Sequence, residues 1–396
     1  MRLKFAHLAD CHLGSWRQEE LQKLNFKSFQ NALDICISEK VDFILISGDL
    51  FDSAYPPIEI LKEAFAEFKK INDAKIPVFI IAGSHDFSAS GKTFLDVLEK
   101  AGFCKNIENF EIHENIIRLN PTLFKDVALF GYSGKKSGLE IEDLKKVQFA
   151  SMHPLTIFMI HTTIKDVVGN IPMESIDKEK LPIANYYAMG HIHQIFEKEY
   201  KNSHFVYPGP IFPNNFQELA DLECGSFQLV SIEDGKIKSE NIKIKIKNRE
   251  FLEVELNNGL TATEKIISML DKLNLNDKIV LLKLKGKLKT GKAGDIRFDE
   301  IENFARKKGV FSFLRNTSAL ETLEAEIKVE TDNAGNIEQT IIRDFASKDP
   351  GNFSKLLPQI LDALSIEKNE EEKSIIFENR LLSELKKILN LEGVLE

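Results

Sequence analysis

Five short clusters carry the residue types that bind metals and move protons. They are Asp10-Cys11-His12, Gly48-Asp49-Leu50-Phe51-Asp52, Gly83-Ser84-His85-Asp86, the single His161, and Gly190-His191-Ile192-His193. Imidazole and carboxylate together suit borderline divalent metals such as Mn, Fe or Zn, and no thiolate is required. The inventory is too large for one ion. Two ions about 3.5–4 Å apart, sharing a bridging carboxylate, would use it. Taken singly, a strand-end His or Asp is more often a satisfied polar residue than a ligand; the complete set, in order, argues for a site. His7, His113, His153 and His204 have no such context and read as structural. Cys11 stands between two candidate ligands, but alternation along an extended segment turns it to the opposite face as a small buried residue.

Each cluster closes an apolar run. Residues 3–8, 43–46, 78–82, 157–160 and 186–189 are short and bounded by glycine or polar residues, as buried strands are, and 127–130 is a further run. Between them Leu21, Leu24, Phe29, Leu33 and Ile37, then Leu61, Phe65 and Phe68, recur at helical spacing. Strand and helix in series predict an α/β fold, whose ligands gather beyond the carboxyl ends of the strands. The glycines before Asp49, Ser84 and His191 let the backbone turn tightly there.

From about residue 240 the texture changes. The stretches 242–247 (IKIKIK) and 281–289 (LLKLKGKLK) alternate with period two and read as half-exposed strands; 262–273 and 299–308 read as helices. This predicts a separate, smaller α+β domain. From about 350 the chain reads as helical. Phe353, Leu356, Leu357, Ile360, Leu361 and Leu364 form one stripe, and Phe377, Leu381, Leu385 and Ile388 form another beyond the charged connector 367–372. Pro358 fits only in the first turn of its helix.

The chain has 396 residues, 43% apolar and 29% charged, which suggests two or three domains of ordinary globular balance. Disorder, a collagen-like fibre and a disulfide-stapled mini-protein are excluded. Four scattered cysteines with no CxxC pair argue against structural zinc. No apolar run reaches the ~18 residues a membrane span needs, and the start lacks a signal-peptide pattern. A soluble cytoplasmic protein is expected. The net charge is −9, yet residues 236–315 hold 19 Lys/Arg against 11 Asp/Glu, a net of +8. A basic module on an acidic body raises nucleic acid as a partner. Lys283, Lys285, Lys287 and Lys289 line one face of a strand. That row reads either as phosphate contacts or as a solvated face, including an edge strand guarded by lysine. Lys243, Lys245 and Lys247 fit the solvated reading better.

The motifs D-x-H, GDxxD, G-N-H-D/E, a strand-end His and GHxH resemble those of the calcineurin-like metallophosphoesterases. The wording HLADCHLGSW, SGDLFDSAYPP, IAGSHDFSASG, YYAMGHIH and YPGPIFPNNFQEL is similar to one branch, the SbcD-like, archaeal-type nuclease subunit of double-strand-break repair. The resemblance covers residues 1–235; the rest corresponds by order and size only. It implies a four-layer αββα nuclease domain over 1–240, a basic α+β capping domain over 241–346, and a helical partner-binding tail over 347–396. By the same resemblance, Asp10, His12 and His193 would hold a first metal, and Asp49 would bridge. His161 and His191, with Ser84 beside them, would hold a second. His85 would contact the phosphate and protonate the leaving 3′-oxygen, with Asp86 orienting its ring.

This chain departs from the family twice. Ser84 stands where the family usually has Asn, and a hydroxyl is a poorer oxygen ligand than an amide carbonyl. Asp52 stands where some close relatives have His, so it joins the four lysines as a candidate for substrate contact. The implied cofactor is a pair of Mn²⁺ ions, with Mg²⁺ or another divalent ion as the alternative. The implied activity is a DNA nuclease cutting phosphodiesters at broken or blocked ends. It would be homodimeric, free of membranes, cytoplasmic and at the nucleoid, with a coiled-coil ATPase subunit gripped by the C-terminal helices. Two other readings stay open: a metallophosphoesterase acting on non-DNA phosphoesters, and a catalytically weak DNA-end scaffold.

Overall fold

In the computed structural model, residues 2–88, 93–135, 138–169, 173–322, 356, 359–360, 363–366 and 374–389 are described. The chain divides into two units, Met1–Thr322 and Leu323–Glu396.

The first unit opens with β1 (Arg2–Leu8), α1 (Glu19–Ser38), β2 (Phe43–Ser47), α2 (Ile58–Asp73), β3 (Val78–Ile81), α3 (Leu95–Lys100) and β4 (Lys105–Asn106). Short strands come next: β5 (Phe110–His113), β6 (Ile116–Leu119) and β7 (Thr122–Phe124). Then come β8 (Val127–Tyr132), α4 (Glu140–Leu144), β9 (Val147–Phe149), β10 (Thr156–His161), α5 (Lys165–Val168) and β11 (Tyr186–Gly190). The series continues through β12 (Ile195–Tyr200), β13 (Ser203–Pro208), α6 (Phe216–Leu222), β14 (Gly225–Glu233) and β15 (Lys236–Ile244).

Two six-stranded sheets result, ordered β15-β14-β1-β2-β3-β4 and β12-β13-β11-β10-β8-β7. β1 to β4 pair in parallel, as do β8, β10, β11 and β13, while β14, β15, β7 and β12 add antiparallel partners. The parallel strands are apolar on both faces because both faces are covered. Their side chains still sort with period two. Phe43 and Leu45 face the core between the sheets, and Ile44 and Ile46 face the helices. On β10, Ile157 and Met159 point between the sheets, and Phe158 and Ile160 point outward.

Phe26, Phe29, Leu33 and Phe68 of α1 and α2, with Leu95 and Leu98 of α3, cover the outer face of the first sheet. The second sheet is covered by Ile141 and Leu144 of α4, by Ile164, and by Ile117, Leu119 and Val147 of a small sheet ordered β5-β6-β9. The layers are therefore helix, sheet, sheet, and a mixed fourth layer of short helices and strands. His7 sits between the sheets, fully buried, its Nδ1 3.0 Å from the Tyr186 hydroxyl.

Beyond β15 come β16 (Arg249–Glu255), α7 (Ala262–Asp271), β17 (Ile279–Leu288), α8 (Phe298–Lys307) and β18 (Ser312–Thr322). They form an all-parallel sheet, β16-β17-β18, with the two helices as crossovers. Ile266, Leu270 and Ile301 pack on Val280, Leu282 and Leu284 on one face. On the other face Ile279, Leu281 and Leu314 pack against Leu21 and Leu24 of α1 and Leu219 of α6.

Two sequence expectations change here. Ile242 and Ile244 of the IKIKIK run belong to β15, paired with β14 of the first sheet, not to the small one. Lys283, Lys285 and Lys287 lie on β17, the central strand of its sheet, and Lys289 follows it, so the edge-strand reading fails. Residues 323–346 of the expected capping domain lie outside the described residues, as do Phe353, Leu357 and Leu361 of the first tail stripe, and Pro358. Phe377, Leu381, Leu385 and Ile388 share helix α9 (Ser374–Ile388), and each is half-buried. Among the described residues no helix is long and apolar enough to cross a membrane.

Candidate metal centre

The carboxyl ends of β1, β2, β3, β10 and β11 lead into the five clusters. Parallel pairing aligns the ends within each sheet and the stacking of the two sheets brings both groups together, so residues up to 183 positions apart in sequence become neighbours. The local backbone is held out of its relaxed form. Asp10, His12, Asp49 and His191 have φ of 50°, 42°, 50° and 95°. Each such position costs of order 1–3 kcal/mol and persists only where the surroundings dictate it. Here the amides of Asp10 and His12 donate to the carbonyls of Gly48 and Asp49 at 3.1 and 3.0 Å. The amides of His191 and His85 donate to the carboxylates of Asp10 and Asp49 at 2.9 and 2.7 Å. Two glycines are required by closeness. A Cβ on Gly83 would lie 2.2 Å from Asp49 Oδ1, and one on Gly48 2.3 Å from His161 Nδ1.

Three groups offer donor atoms within 4.8 Å of one another: the two expected ligand sets, Asp10–His12–His193 and Asp49–His161–His191, and His12–Asp52–His85 at the mouth. In the first, His12 Nε2 and His193 Nε2 are 3.1 Å apart, and Asp10 Oδ1 is 3.9 Å from His193 Nε2. In the second, His161 Nε2 is 3.1 Å from Asp49 Oδ2. The same Asp49 oxygen is 3.6 Å from His12 Nε2, so Asp49 joins the sets. Asp10 Oδ2 is buried without a hydrogen-bond partner. A buried carboxylate oxygen left unpaired is costly unless a cation faces it. The donor set and this oxygen both fit divalent metals.

The rings are fixed from behind, as ligating imidazoles generally are. His161 Nδ1 donates to the Ser47 carbonyl at 2.9 Å, His12 Nδ1 meets Asp52 Oδ1 at 3.2 Å, and His193 Nδ1 meets Glu218 Oε1 at 2.9 Å. Burial works against charge on His161, but Asp49 overrides it and lifts the ring to about 10. On His193 burial is likewise overridden, by Glu218 and Asp10, to about 9. His191 goes the other way, to about 4, through burial and the neighbouring charge of His161. The site as a whole draws positive charge.

His85 is exposed at the mouth, where a cavity of about 550 Å³ is lined by Asp52, Tyr55, Ser84 and Ser88 among others. Its Nδ1 donates to the Asp52 carbonyl oxygen at 2.8 Å. Asp86 does not orient this ring. Its buried carboxylate accepts from the amides of Gly83, Phe51 and Leu50 at 2.9, 3.1 and 3.3 Å, and so ties the two turns together. Burial and the charge of Asp49 raise it to about 6. Asp52, expected as a substrate contact, uses its side chain to hold His12. The Ser84 hydroxyl lies 3.4 Å from Asp49 Oδ2.

Lys283 and Lys285 are both paired with Glu253 on β16, at 3.5 and 2.5 Å, whereas Lys287 and Lys289 are exposed. Glu218 was not singled out by the sequence, because nothing in its spacing marks it; only its place in YPGPIFPNNFQEL pointed to this region.

Residues 3–195 match the model of the calcineurin-like phosphoesterases, a stretch that contains every member of both ligand sets. Residues 3–195 are a calcineurin-like phosphoesterase domain. Similarity to whole proteins extends past the end of this phosphoesterase domain. The DNA double-strand break repair protein Mre11 of Archaeoglobus fulgidus is 27% identical over 83% of this chain and 78% of its own. The protein of that name in Methanocaldococcus jannaschii is 28% identical over 67% of this chain and 72% of its own. The uncharacterized metallophosphoesterase YhaO of Bacillus subtilis is 26% identical over 60% of this chain and 59% of its own. The two ligand sets fit the metal pair that phosphoesterase domains of this family use.

Proposed function

We propose that this protein is a Mn²⁺-dependent DNA nuclease that hydrolyses phosphodiesters at DNA ends in double-strand-break repair. The observation that carries the proposal is the pair of ligand sets joined through Asp49, with His85 at the open mouth beside them. Asp10, His12 and His193 would hold one ion, and His161 and His191 the other, with Asp49 shared and Ser84 alongside. Bound there, two divalent cations supply positive charge against the phosphate and make water more acidic. His85 supplies the proton. The Asp52 carbonyl keeps a proton on Nδ1; as water adds to phosphorus and the P–O bond breaks, the imidazolium form of His85 passes its Nε2 proton to the departing 3′-oxygen and is left as the neutral ring protonated on Nδ1. Asp86 sets the turns from which Asp49 and His85 project.

DNA as substrate is supported by the names of the archaeal relatives and by the +8 charge of residues 236–315. Lys287 and Lys289 are the phosphate contacts in this reading; Lys283 and Lys285 are already paired with Glu253. Residues 241–346 act as the cap, the tail from 347 binds a coiled-coil ATPase subunit, and the protein works as a homodimer at the nucleoid. The test uses labelled linear duplex and single-stranded DNA with Mn²⁺, beside His85→Ser. Cleavage by the wild type, and its loss in a variant that still binds Mn²⁺, is the expected result. Preference for a soluble monoester over DNA would overturn the substrate, and equal activity of the variant would overturn the role of His85. One observation favours a weakly catalytic DNA-end scaffold instead: the hydroxyl of Ser84 where an amide would be the better ligand. Salt-sensitive DNA binding without turnover would be its signature.

A further inference from the structure

Helix α6 has only seven residues and touches two parts of the molecule at once. Toward the small sheet, Leu219 is fully buried in one cluster with Ile279, Leu281 and Leu314. From the same sheet Arg249 donates through Nη2 to the Ala220 carbonyl at 2.7 Å and pairs with Glu223 at 3.2 Å. Toward the metal centre, Glu218 accepts from His193 Nδ1 at 2.9 Å and from the Asn214 amide at 2.8 Å. Its own amide is capped by the Asn215 side chain at 2.9 Å, so the helix start is fixed as well. Glu218 and Leu219 are adjacent on one short helix. A movement of the small sheet that carried α6 with it would move the carboxylate that holds His193.

We propose that Glu218 is the positioning residue of the first ligand set, and that α6 ties the seating of the small sheet to the orientation of His193. The proposal rests on Asp10, His12 and His193 being metal ligands. A carboxylate behind a ligating imidazole fixes its tautomer and raises its basicity, and its loss typically weakens metal binding by 10–100-fold. Arg249 touches no ligand, yet it holds α6 from the far side, so the same site should feel its removal.

The test is Mn²⁺ binding to the full chain, measured by titration calorimetry and by the Mn²⁺ electron paramagnetic resonance signal, with thermal melts as the control for folding. Glu218→Gln should weaken one Mn²⁺ site by roughly 10–100-fold and leave the other in place. Arg249→Ala should weaken that same site several-fold. In the double variant the two effects should not multiply, because the route from the sheet ends at Glu218. An unchanged site in Glu218→Gln overturns the positioning role. Effects that multiply, or an unchanged site in Arg249→Ala, overturn the link to the sheet. If Glu218→Gln does not fold, Arg249→Ala alone decides. A wild type that binds no Mn²⁺ at all would overturn the metal-centre reading itself, and the proposal with it.

Discussion

In the proposed centre, Ser84 is the side chain that would furnish the second ligand set least well. Its hydroxyl reaches Asp49 Oδ2 only at 3.4 Å, and a neutral hydroxyl is a weak donor to a hard cation. Ser84→Asn would present an amide carbonyl from the same turn. The expected outcome is a weaker Mn²⁺ site tightened by roughly tenfold, about 1.4 kcal/mol, read by titration calorimetry; an unchanged second site would show that position 84 does not reach the ion. The neighbouring residues show what a motif does and does not convey. That Asp52, His85 and Asp86 lie together was legible in GDLFD and GSHD. Which atom serves which partner was not. A one-residue difference in side-chain direction sends the Asp86 carboxylate to three backbone amides and leaves the Asp52 carbonyl to hold His85.

At the scale of elements, β1 carries both kinds of histidine. His12, past its end, faces the ligand sets, while His7, within it, is sealed between the sheets against Tyr186. Burial pushes His7 down to about 3 from an ordinary 6.5. Its folded value lies below its unfolded one, so the neutral ring's contribution is fully present above pH 6.5 and is lost as pH falls toward 3. Between pH 7 and pH 5 this group alone should cost folding stability about 2 kcal/mol. Urea unfolding at the two pH values should show that loss in the wild type and a correspondingly smaller loss in His7→Gln. An equal loss in both would remove His7 as the cause. The strands themselves were legible because a buried parallel strand is a short, bounded apolar run. The small sheet's parallel order was less so. Alternation in 281–289 tells of a strand with two unlike faces, not of its neighbours, and β17 proved central rather than marginal.

For the whole molecule the charge pattern sets an expectation about salt. If residues 236–315 track phosphates, the affinity for linear DNA should fall steeply with ionic strength. Replacing both Lys287 and Lys289 by alanine should then lower the slope of log K against log salt by roughly 2. Fluorescence anisotropy over a salt series measures this; an unchanged slope would return the lysine row to a solvated face. Lys283 and Lys285 should matter less, since both already pair with Glu253. The small sheet's position against α1 and α6 rests on an apolar contact through Leu21, Leu24, Leu219, Ile279, Leu281 and Leu314, a contact no local pattern foretold.

By itself the sequence determined the α/β class, the strand ends and the residue types gathered there. Those properties are local: a run of side chains either can be buried as a strand or cannot, and a glycine either precedes a ligand or does not. Tertiary structure decided the rest. Asp49 stands between His12 and His161 only because two sheets stack face to face with their strand ends aligned. Glu218 backs His193 only because a short helix before β14 returns to the site. Such pairings join residues 25 to 181 positions apart in sequence, and no periodicity or spacing encodes which distant surfaces a packed core will bring together.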